Sequence, residues 1–312
     1  MIMLRTAALL LFLTVTAAPA GETLRSALQA ANIPVEAFSS SELARPITSY
    51  AVSNDDPFLI SYYVDDGSGM LKRPLYVVRY DLQTGDIRRG EVRTATALFQ
   101  GSVPEDCLGS ALSIREHDGR VFIDTHDTPS AGCVIVLSAK LGFETALSGG
   151  ILGFIGPDCL ILRGSEIHFM SVHPLHLTVL DLQRNRSTPI YPYAGDAQRR
   201  LFSDLIDSLM SDTWCRENNA QCDPDNFDVD ISGAVVINEA ARTFAFQARF
   251  DAAGFGDAAL KRVPPRTVAY FFRERAGRWE HREFSEPRLR RLLAGATLTR
   301  FIAEHPSAAF QR

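Results

Sequence analysis

The chain has 312 residues, of which 46% are hydrophobic, and its formal net charge at pH 7 is −5. The apolar content is too high for an intrinsically disordered chain, and the acidic balance is opposite to that of a typical nucleic-acid-binding domain. We therefore expect one large globular domain or two smaller ones, with no nucleic-acid partner.

The segment 1–20 has the three parts of a cleavable export signal. Arg5 supplies a positive charge, Ala7–Ala17 form an apolar core of eleven residues, and Ala18-Pro19-Ala20 offers the small residues that a signal peptidase reads. The core is too short to span a bilayer, which takes about 20 apolar residues. We therefore predict that the segment is removed, leaving a periplasmic or secreted protein with no membrane span.

Residues 21–46 are predicted to form an N-terminal helix and a linker, because Leu24 and Leu28 recur at helical spacing before Pro34. Over residues 47–193 the pattern changes to period two. Runs of β-branched and aromatic residues alternate there with Gly, Asp and Asn about every ten residues. This pattern predicts a mainly β region of antiparallel strands.

Two predicted hairpins of this region repeat one another one hundred residues apart. Tyr80–Gly85 reads YDLQTG and Leu180–Asn185 reads LDLQRN, so that each motif ends in a residue that tolerates left-handed backbone. Such strand-turn-strand units are typical of β-propeller blades. In these motifs the chain resembles uncharacterised secreted bacterial proteins with β-propeller-like repeats. The resemblance implies four or five propeller-like blades of antiparallel sheet.

Residues 194–230 interrupt the strands with an inserted helix, predicted over Ala194–Cys215, and a disulfide loop. The helix is indicated by an apolar stripe that includes Leu201, Leu205 and Leu209.

Five cysteines in an exported chain indicate two disulfides and one free thiol. Cys215 and Cys222 enclose a short polar loop and are predicted to pair. Cys107 lies in a turn-like stretch and Cys133 opens an apolar strand, so these two form the second predicted pair. Cys159 then remains as a buried, unreactive thiol.

Residues 231–312 are predicted to form a closing β sheet and a C-terminal helix over Pro287–Ala303. Within them, the stretch 260–300 holds eleven basic residues against four glutamates. One interpretation is a surface that binds polyanions. The other is that these arginines face the acidic stretch 204–230 or are simply solvated.

Three of the seven histidines, His168, His173 and His176, lie within nine residues and form the candidate metal site. Imidazole suits zinc or copper. Residues five apart on an unbroken strand face opposite sides of the sheet, so the set converges only if Pro174 bends the chain. The alternative is hydrogen bonding at a sheet edge, and no cofactor is predicted.

The chain lacks the G-x-S-x-G, H-E-x-x-H and P-loop motifs of common hydrolases. We therefore predict a non-enzymatic binding or scaffolding module for a protein, peptide or glycan. The alternative is an extracytoplasmic hydrolase or lyase, whose candidate catalytic residues are Asp124, His126, His168 and His173. Convergence of these side chains in one concave pocket would favour the enzyme.

Overall fold

The protein is mainly β. The computed structural model describes residues 16–17, 23–53, 57–64, 74–81, 83–92, 110–128, 131–164, 167–168, 171–172, 176–184, 186–191, 193, 195–197, 200–201, 204, 228–231, 235–251 and 265–311.

The strands are, in chain order, β1 (Thr16–Ala17), β2 (Ile47–Ser53), β3 (Phe58–Val64), β4 (Leu75–Tyr80), β5 (Ile87–Val92), β6 (Ser110–His117), β7 (Arg120–Thr128), β8 (Ala131–Leu137), β9 (Phe143–Ser148), β10 (Gly150–Ile155), β11 (Cys159–Arg163), β12 (Ile167–His168), β13 (Ser171–Val172), β14 (Leu177–Asp181), β15 (Arg186–Tyr191), β16 (Asp228–Ile231), β17 (Val236–Asn238), β18 (Thr243–Asp251), β19 (Arg266–Arg275) and β20 (Arg278–Ser285). The helices are α1 (Leu24–Ala30), α2 (Ser40–Leu43), α3 (Glu286–Leu293) and α4 (Leu298–Glu304).

Four antiparallel sheets contain most of these strands, and most neighbouring strands in a sheet are consecutive along the chain. Their orders are β1-β2-β3-β4-β5, β6-β7-β8-β9, β10-β11-β14-β15 and β16-β18-β19-β20, with β17 also paired to β18 and β12-β13 forming a separate ribbon. The predicted mainly β class is confirmed. The number of propeller blades stays a prediction.

The two hairpins that repeat in the sequence have the same turn geometry. Asp81 Oδ1 accepts hydrogen bonds from the second and third following backbone N–H groups at 3.0 and 2.9 Å, and Asp181 Oδ1 accepts the equivalent bonds at the same distances. These bonds lower the pKa of both carboxyls. The first turn joins β4 to β5 and the second joins β14 to β15, so the repeated motif closes the last hairpin of two different sheets.

The chain divides into two compact units. The first comprises Met1–Thr128 and Gly132–Leu147, and the second comprises Pro129–Ala131 and Ser148–Arg312. The division falls inside the range 47–193 that the sequence pattern grouped as one β region.

The first unit has two hydrophobic clusters on opposite faces of its first sheet. Strand β3 is buried along both faces, because Leu59 and Tyr63 contact the second sheet while Ile60 and Tyr62 contact the helical layer. That layer consists of α1 and α2, whose N-caps are both capping boxes.

The second unit also consists of two sheets and a helical layer, but its helices follow the sheets along the chain. Residues of the third sheet, such as Ile161 and Val179, pack against the aromatic face of the fourth sheet, which includes Phe246 and Tyr270. The opposite face of the fourth sheet is covered by α3 and α4. Alternating side chains of β19 therefore belong to two separate clusters.

The prediction of one C-terminal helix over Pro287–Ala303 is wrong. Two helices, α3 and α4, occupy this range, and the break lies at Ala294 and Gly295, whose φ values are 41° and 87°. Left-handed backbone ends a helix, and Thr297 starts the next one by accepting a hydrogen bond from Arg300 N–H at 3.3 Å.

Strand β1 lies inside the predicted signal segment and pairs with two residues of β2. Most of the helix predicted over Ala194–Cys215, and the whole Cys215–Cys222 loop, lie outside the described residues. No helix in the described part of the chain is long and apolar enough to cross a membrane.

Candidate functional site

Asp124 and His126 lie on β7 in the first unit. Asp124 is half-buried and pairs across the ladder with Ser113, and His126 pairs with Ser110. Residues two apart on a strand share one face of the sheet. The structure thus brings these two positions near each other along one strand, and their catalytic role stays a prediction.

The candidate metal ligands belong to the second unit. His168 lies on β12 opposite Ser171, and His176 is exposed directly before β14. His173 lies outside the described residues, so the convergence of all three stays a prediction. Among the residues that are described, no group of three or more His, Cys, Asp or Glu side chains is arranged to hold a metal ion.

Cys159 is a free, buried thiol, as the sequence predicts. Cys133 is buried in β8 and is disulfide-bonded. Cys107, Cys215 and Cys222 lie outside the described residues, and the pairings Cys107–Cys133 and Cys215–Cys222 therefore stay predictions.

A cavity of about 440 Å³ lies within the second unit. Its walls come from the β10–β11 turn, strands β14 and β15, the β17–β18 turn and the β19–β20 hairpin. Strand β15 is an edge strand of the third sheet, and β20 is an edge strand of the fourth sheet. The cavity therefore lies where residues far apart in sequence meet, which is typical of ligand-binding sites.

Arg242 forms one wall of this cavity. Its Nη1 donates to Asp158 Oδ1 at 2.6 Å and its Nε donates to Glu274 Oε2 at 2.6 Å. A further donor, Nη2, lies 3.3 Å from both Asp158 Oδ2 and Cys159 Sγ. The hydrogen bonds to Asp158 are the main cause that raises the pKa of Arg242. This guanidinium is fixed in place and its charge is matched by two carboxylates.

Gly156 makes room for that guanidinium. Its φ is +61°, and a Cβ added there would lie 2.7 Å from Arg242 Nη1 and 3.3 Å from Asp158 Oδ1. Glycine suits this position by both its backbone and its lack of a side chain, because an added Cβ would force the end of the Arg242 side chain to shift.

The thiol of Cys159 also lines the cavity. Burial raises its pKa, and the neighbouring Asp158 carboxylate raises it further, while Arg242 acts in the opposite direction. A thiol with a raised pKa holds little thiolate at neutral pH. The structure thus agrees with an unreactive Cys159.

An aromatic wall lies on the other side of the cavity. Trp279 is half-buried and meets Phe244 edge to face at 5.7 Å between ring centroids, and Phe244 stacks on Phe272 at 4.7 Å. Tyr193 and His281 lie with their ring centroids 3.7 Å apart. Because these rings are held by the core of the second unit, the wall is formed before any ligand arrives.

Behind Tyr193 lies a group of buried acids and phenols. The Tyr193 hydroxyl donates to Glu283 Oε2, and the Tyr270 hydroxyl donates to Asp196 Oδ2 at 2.9 Å. Asp196 is only 5% exposed and is hydrogen-bonded to Glu283. Burial is the main cause that raises the pKa of Glu283 and of both phenols. The charge and the hydrogen bond of Asp196 raise the pKa of Glu283 further.

Sequence reasoning missed the residues of this cavity. Arg242 lies in a turn and Tyr193 lies where the third sheet ends, so neither belongs to a motif. Trp279 and His281 did leave a signal, because they alternate with charged residues along one strand and therefore share a face. The sequence predicted only that this strand belongs to the closing β sheet of residues 231–312.

No protein-family model matches the chain. No curated protein matches it. Among solved structures the chain is similar to a eukaryotic initiation factor at 8% identity and a TM-score of 0.30, covering 78% of this chain and 58% of that one. It is also similar to a member of the DUF4221 family from Bacteroides vulgatus at 9% identity and a TM-score of 0.27, covering 77% and 81%. The chain thus spans less than two thirds of the initiation factor. Both TM-scores are too low to carry an argument about function.

Proposed function

We propose that this chain is an exported, non-enzymatic binding module and that the cavity of its second unit holds part of a peptide, protein or glycan. The observation that carries the proposal is the cavity of about 440 Å³, which combines an aromatic wall with a fixed arginine wall. Binding sites for small ligands typically have volumes of about 300–1,000 Å³, with aromatic walls and a few placed polar groups. This volume fits one or two sugar rings or a few amino-acid residues.

The export part of the proposal is supported by the segment 1–20, which has the charge, apolar core and small residues of a signal. We further propose that the relatives of this chain are secreted bacterial proteins with propeller-like repeats. The matching turns at Asp81 and Asp181 support this, because one hairpin geometry recurs in two sheets.

Tryptophan fluorescence tests the proposal directly. The chain has two tryptophans, Trp214 and Trp279, so Trp214→Phe leaves a single reporter that lines the cavity. The mature protein with this change is titrated with sets of oligosaccharides and short peptides. We expect a saturable change in Trp279 emission for at least one ligand class, with matching heats in calorimetry.

The control is Trp279→Ala, which removes the half-buried ring but keeps the walls made by Arg242 and Tyr193. We expect it to weaken binding of the same ligand at least tenfold while the unfolding midpoint still shows a folded protein. Saturable binding that is unaffected by Trp279→Ala, or no binding in either set, would overturn the proposal. Chemical conversion of the bound ligand would instead favour the hydrolase or lyase alternative.

A further inference from the structure

The walls of the cavity carry more positive than negative charge. Their charged residues are the basic Arg184, Arg186, Arg242 and Arg278 and the acidic Asp158, Asp181 and Glu274. The whole chain has a net charge of −5, so this local excess is opposite to the balance of the molecule. The excess is one positive charge, which favours an anionic ligand over a cationic one.

The acidic residues are already engaged by the protein. Asp158 and Glu274 both accept hydrogen bonds from Arg242 at 2.6 Å. Asp181 accepts from the backbone of its own turn and pairs with Arg184 at 3.1 Å. Two of the four arginines are therefore neutralised within the structure.

The other two arginines have no carboxylate partner among the described residues. Arg186 and Arg278 are both exposed, and no ion pair joins either of them to another residue of the described ranges. Arg186 is the first residue of the edge strand β15, and Arg278 is the first residue of the edge strand β20. Both residues line the cavity. A guanidinium with unused donors recognises a carboxylate through paired N–H···O bonds.

An aromatic ring lines the same cavity as these donors. It belongs to Trp279, whose position is held by the edge-to-face contact with Phe244. Apolar ring faces stack on the indole surface, while polar groups at the rim of the ring remain free for hydrogen bonds. A pyranose ring with a charged substituent offers both features in one unit.

One of the two sheet edges at the cavity, that of β15, is poorly suited to an added peptide strand. Pro189 in β15 has no N–H to donate, and the pairing of β14 with β15 shifts register at this point. Proline and bulges are two of the features that prevent strand addition at an edge. A glycan, which needs no ladder of backbone hydrogen bonds, is therefore favoured over a peptide strand added to β15.

We propose that the cavity binds an acidic saccharide, with its sugar ring on Trp279 and its carboxylate held by Arg186 and Arg278. This inference rests on the proposed function and names its ligand class. The fixed guanidinium of Arg242 forms part of the wall of the site. It does not bind the carboxylate of the ligand, because Asp158 and Glu274 neutralise its charge.

The test compares a uronic-acid oligosaccharide with the same oligosaccharide after reduction of its carboxyl groups. Both are titrated into the Trp214→Phe protein, and an acidic peptide of similar charge forms a third arm. We expect the uronic-acid form to bind at least about tenfold more tightly than the reduced form, with affinity that falls as salt rises.

Three variants identify the residues. Arg186→Gln and Arg278→Gln are each expected to weaken binding of the uronic-acid form about tenfold and to leave binding of the reduced form unchanged. Arg290→Gln is the matched control, because Arg290 is an exposed arginine of α3 that pairs with Glu286 and does not line the cavity. We expect a change of less than about twofold for this variant. Circular dichroism and the unfolding midpoint show that each variant is folded.

The outcomes separate this inference from the proposed function. Equal affinity for the acidic and reduced saccharides, or equal effects of Arg290→Gln and Arg186→Gln, would overturn the acidic ligand but keep a binding cavity. Tighter binding of the acidic peptide would also overturn it in favour of a peptide. No binding in any arm would overturn this inference, and with it the glycan part of the proposed function.

Discussion

At the scale of single residues, Gly156 and Arg242 depend on each other. The guanidinium lies against Gly156, where an added Cβ would be 2.7 Å from Nη1. Arg242 itself has a φ of 51°, and its backbone oxygen accepts from Glu274 N–H at 3.0 Å. The wall of the cavity thus rests on a glycine in one turn and a left-handed arginine in another.

This arrangement predicts the effect of Gly156→Ala. We expect the free energy of unfolding to fall by about 2 kcal/mol or more, because the substitution adds a clash to the cost of left-handed backbone. Urea unfolding measures the change. The matched control is Gly85→Ala, where φ is +73° but nothing lies within 4 Å of the added Cβ. Equal losses for the two variants would show that the contact with Arg242 is unimportant.

The buried acid Glu283 predicts a dependence of stability on pH. Burial raises its pKa above the ordinary value of 4.5. Its contribution to stability is therefore fully present below pH 4.5 and is lost as pH rises through the higher folded-state pKa. We expect Glu283→Gln to remove this loss, so that the unfolding midpoint between about pH 4.5 and 7 changes less in the variant than in the wild type.

Glu280, on the same strand, supplies the control with the opposite sign. Hydrogen bonding to Arg273 lowers the pKa of Glu280, so its contribution is present above its ordinary pKa and is lost on acidification. Glu280→Gln should therefore not reproduce the flattening that Glu283→Gln produces. The same pH profile for both variants would contradict this assignment.

At the scale of secondary-structure elements, the C-terminal helices show how two residues divide an amphipathic pattern. Leu289, Leu298 and Ile302 all belong to the cluster under the fourth sheet, as one continuous apolar face would predict. Ala294 and Gly295 interrupt the hydrogen-bonding ladder with positive φ values, and the chain turns before Thr297 caps the next helix. Hydrophobic periodicity located the buried residues but did not locate the break.

This break predicts a stabilising substitution. Ala294 adopts φ = 41°, a conformation that costs about 1 kcal/mol for an L-residue and little for glycine. We expect Ala294→Gly to raise the free energy of unfolding by about 0.5–1 kcal/mol, as measured by urea denaturation. Ala296→Gly is the control, since Ala296 is not among the positive-φ residues and should gain nothing. A loss of stability in Ala294→Gly would contradict the expectation.

At the scale of the whole molecule, each unit has its own hydrophobic clusters. The first unit places a helical layer, a sheet and a second sheet in succession, and the second unit places two sheets and then a helical layer. The β12-β13 ribbon is inserted between β11 and β14 of the third sheet, and α1 and α2 lie between β1 and β2 of the first sheet. The aromatic cavity belongs to the second unit alone.

Export and oxidation are also properties of the whole chain. We predict that the mature protein begins after residue 20 and has one reactive thiol per chain after denaturation, that of Cys159. The reason is that the other four cysteines are expected as Cys107–Cys133 and Cys215–Cys222. Intact mass and thiol labelling of denatured protein from the periplasm or medium check this. Five labelled thiols on an uncut chain would contradict both parts.

The sequence by itself determined the mainly β class, the individual strands and the tight turns. Period-two patterns and turn residues act within a few residues, so strands such as Phe58–Val64 and turns such as Asp118-Gly119 follow from local chemistry. The repeated hairpins at Asp81 and Asp181 were visible for the same reason. Three short strands, β1, β13 and β16, were not predicted because runs of two or four residues carry little periodicity.

The cavity was decided only by the tertiary structure. The cavity brings together Asp158, Arg242 and Glu274, which are up to 116 positions apart in the sequence. Arg242 donates a hydrogen bond of 2.6 Å to each of the two carboxylates. No local pattern encodes such a contact, because it depends on which sheets pack together and on where a glycine leaves space. The same holds for Asp196 and Glu283, whose proximity comes from the packing of the second unit rather than from any spacing along the chain.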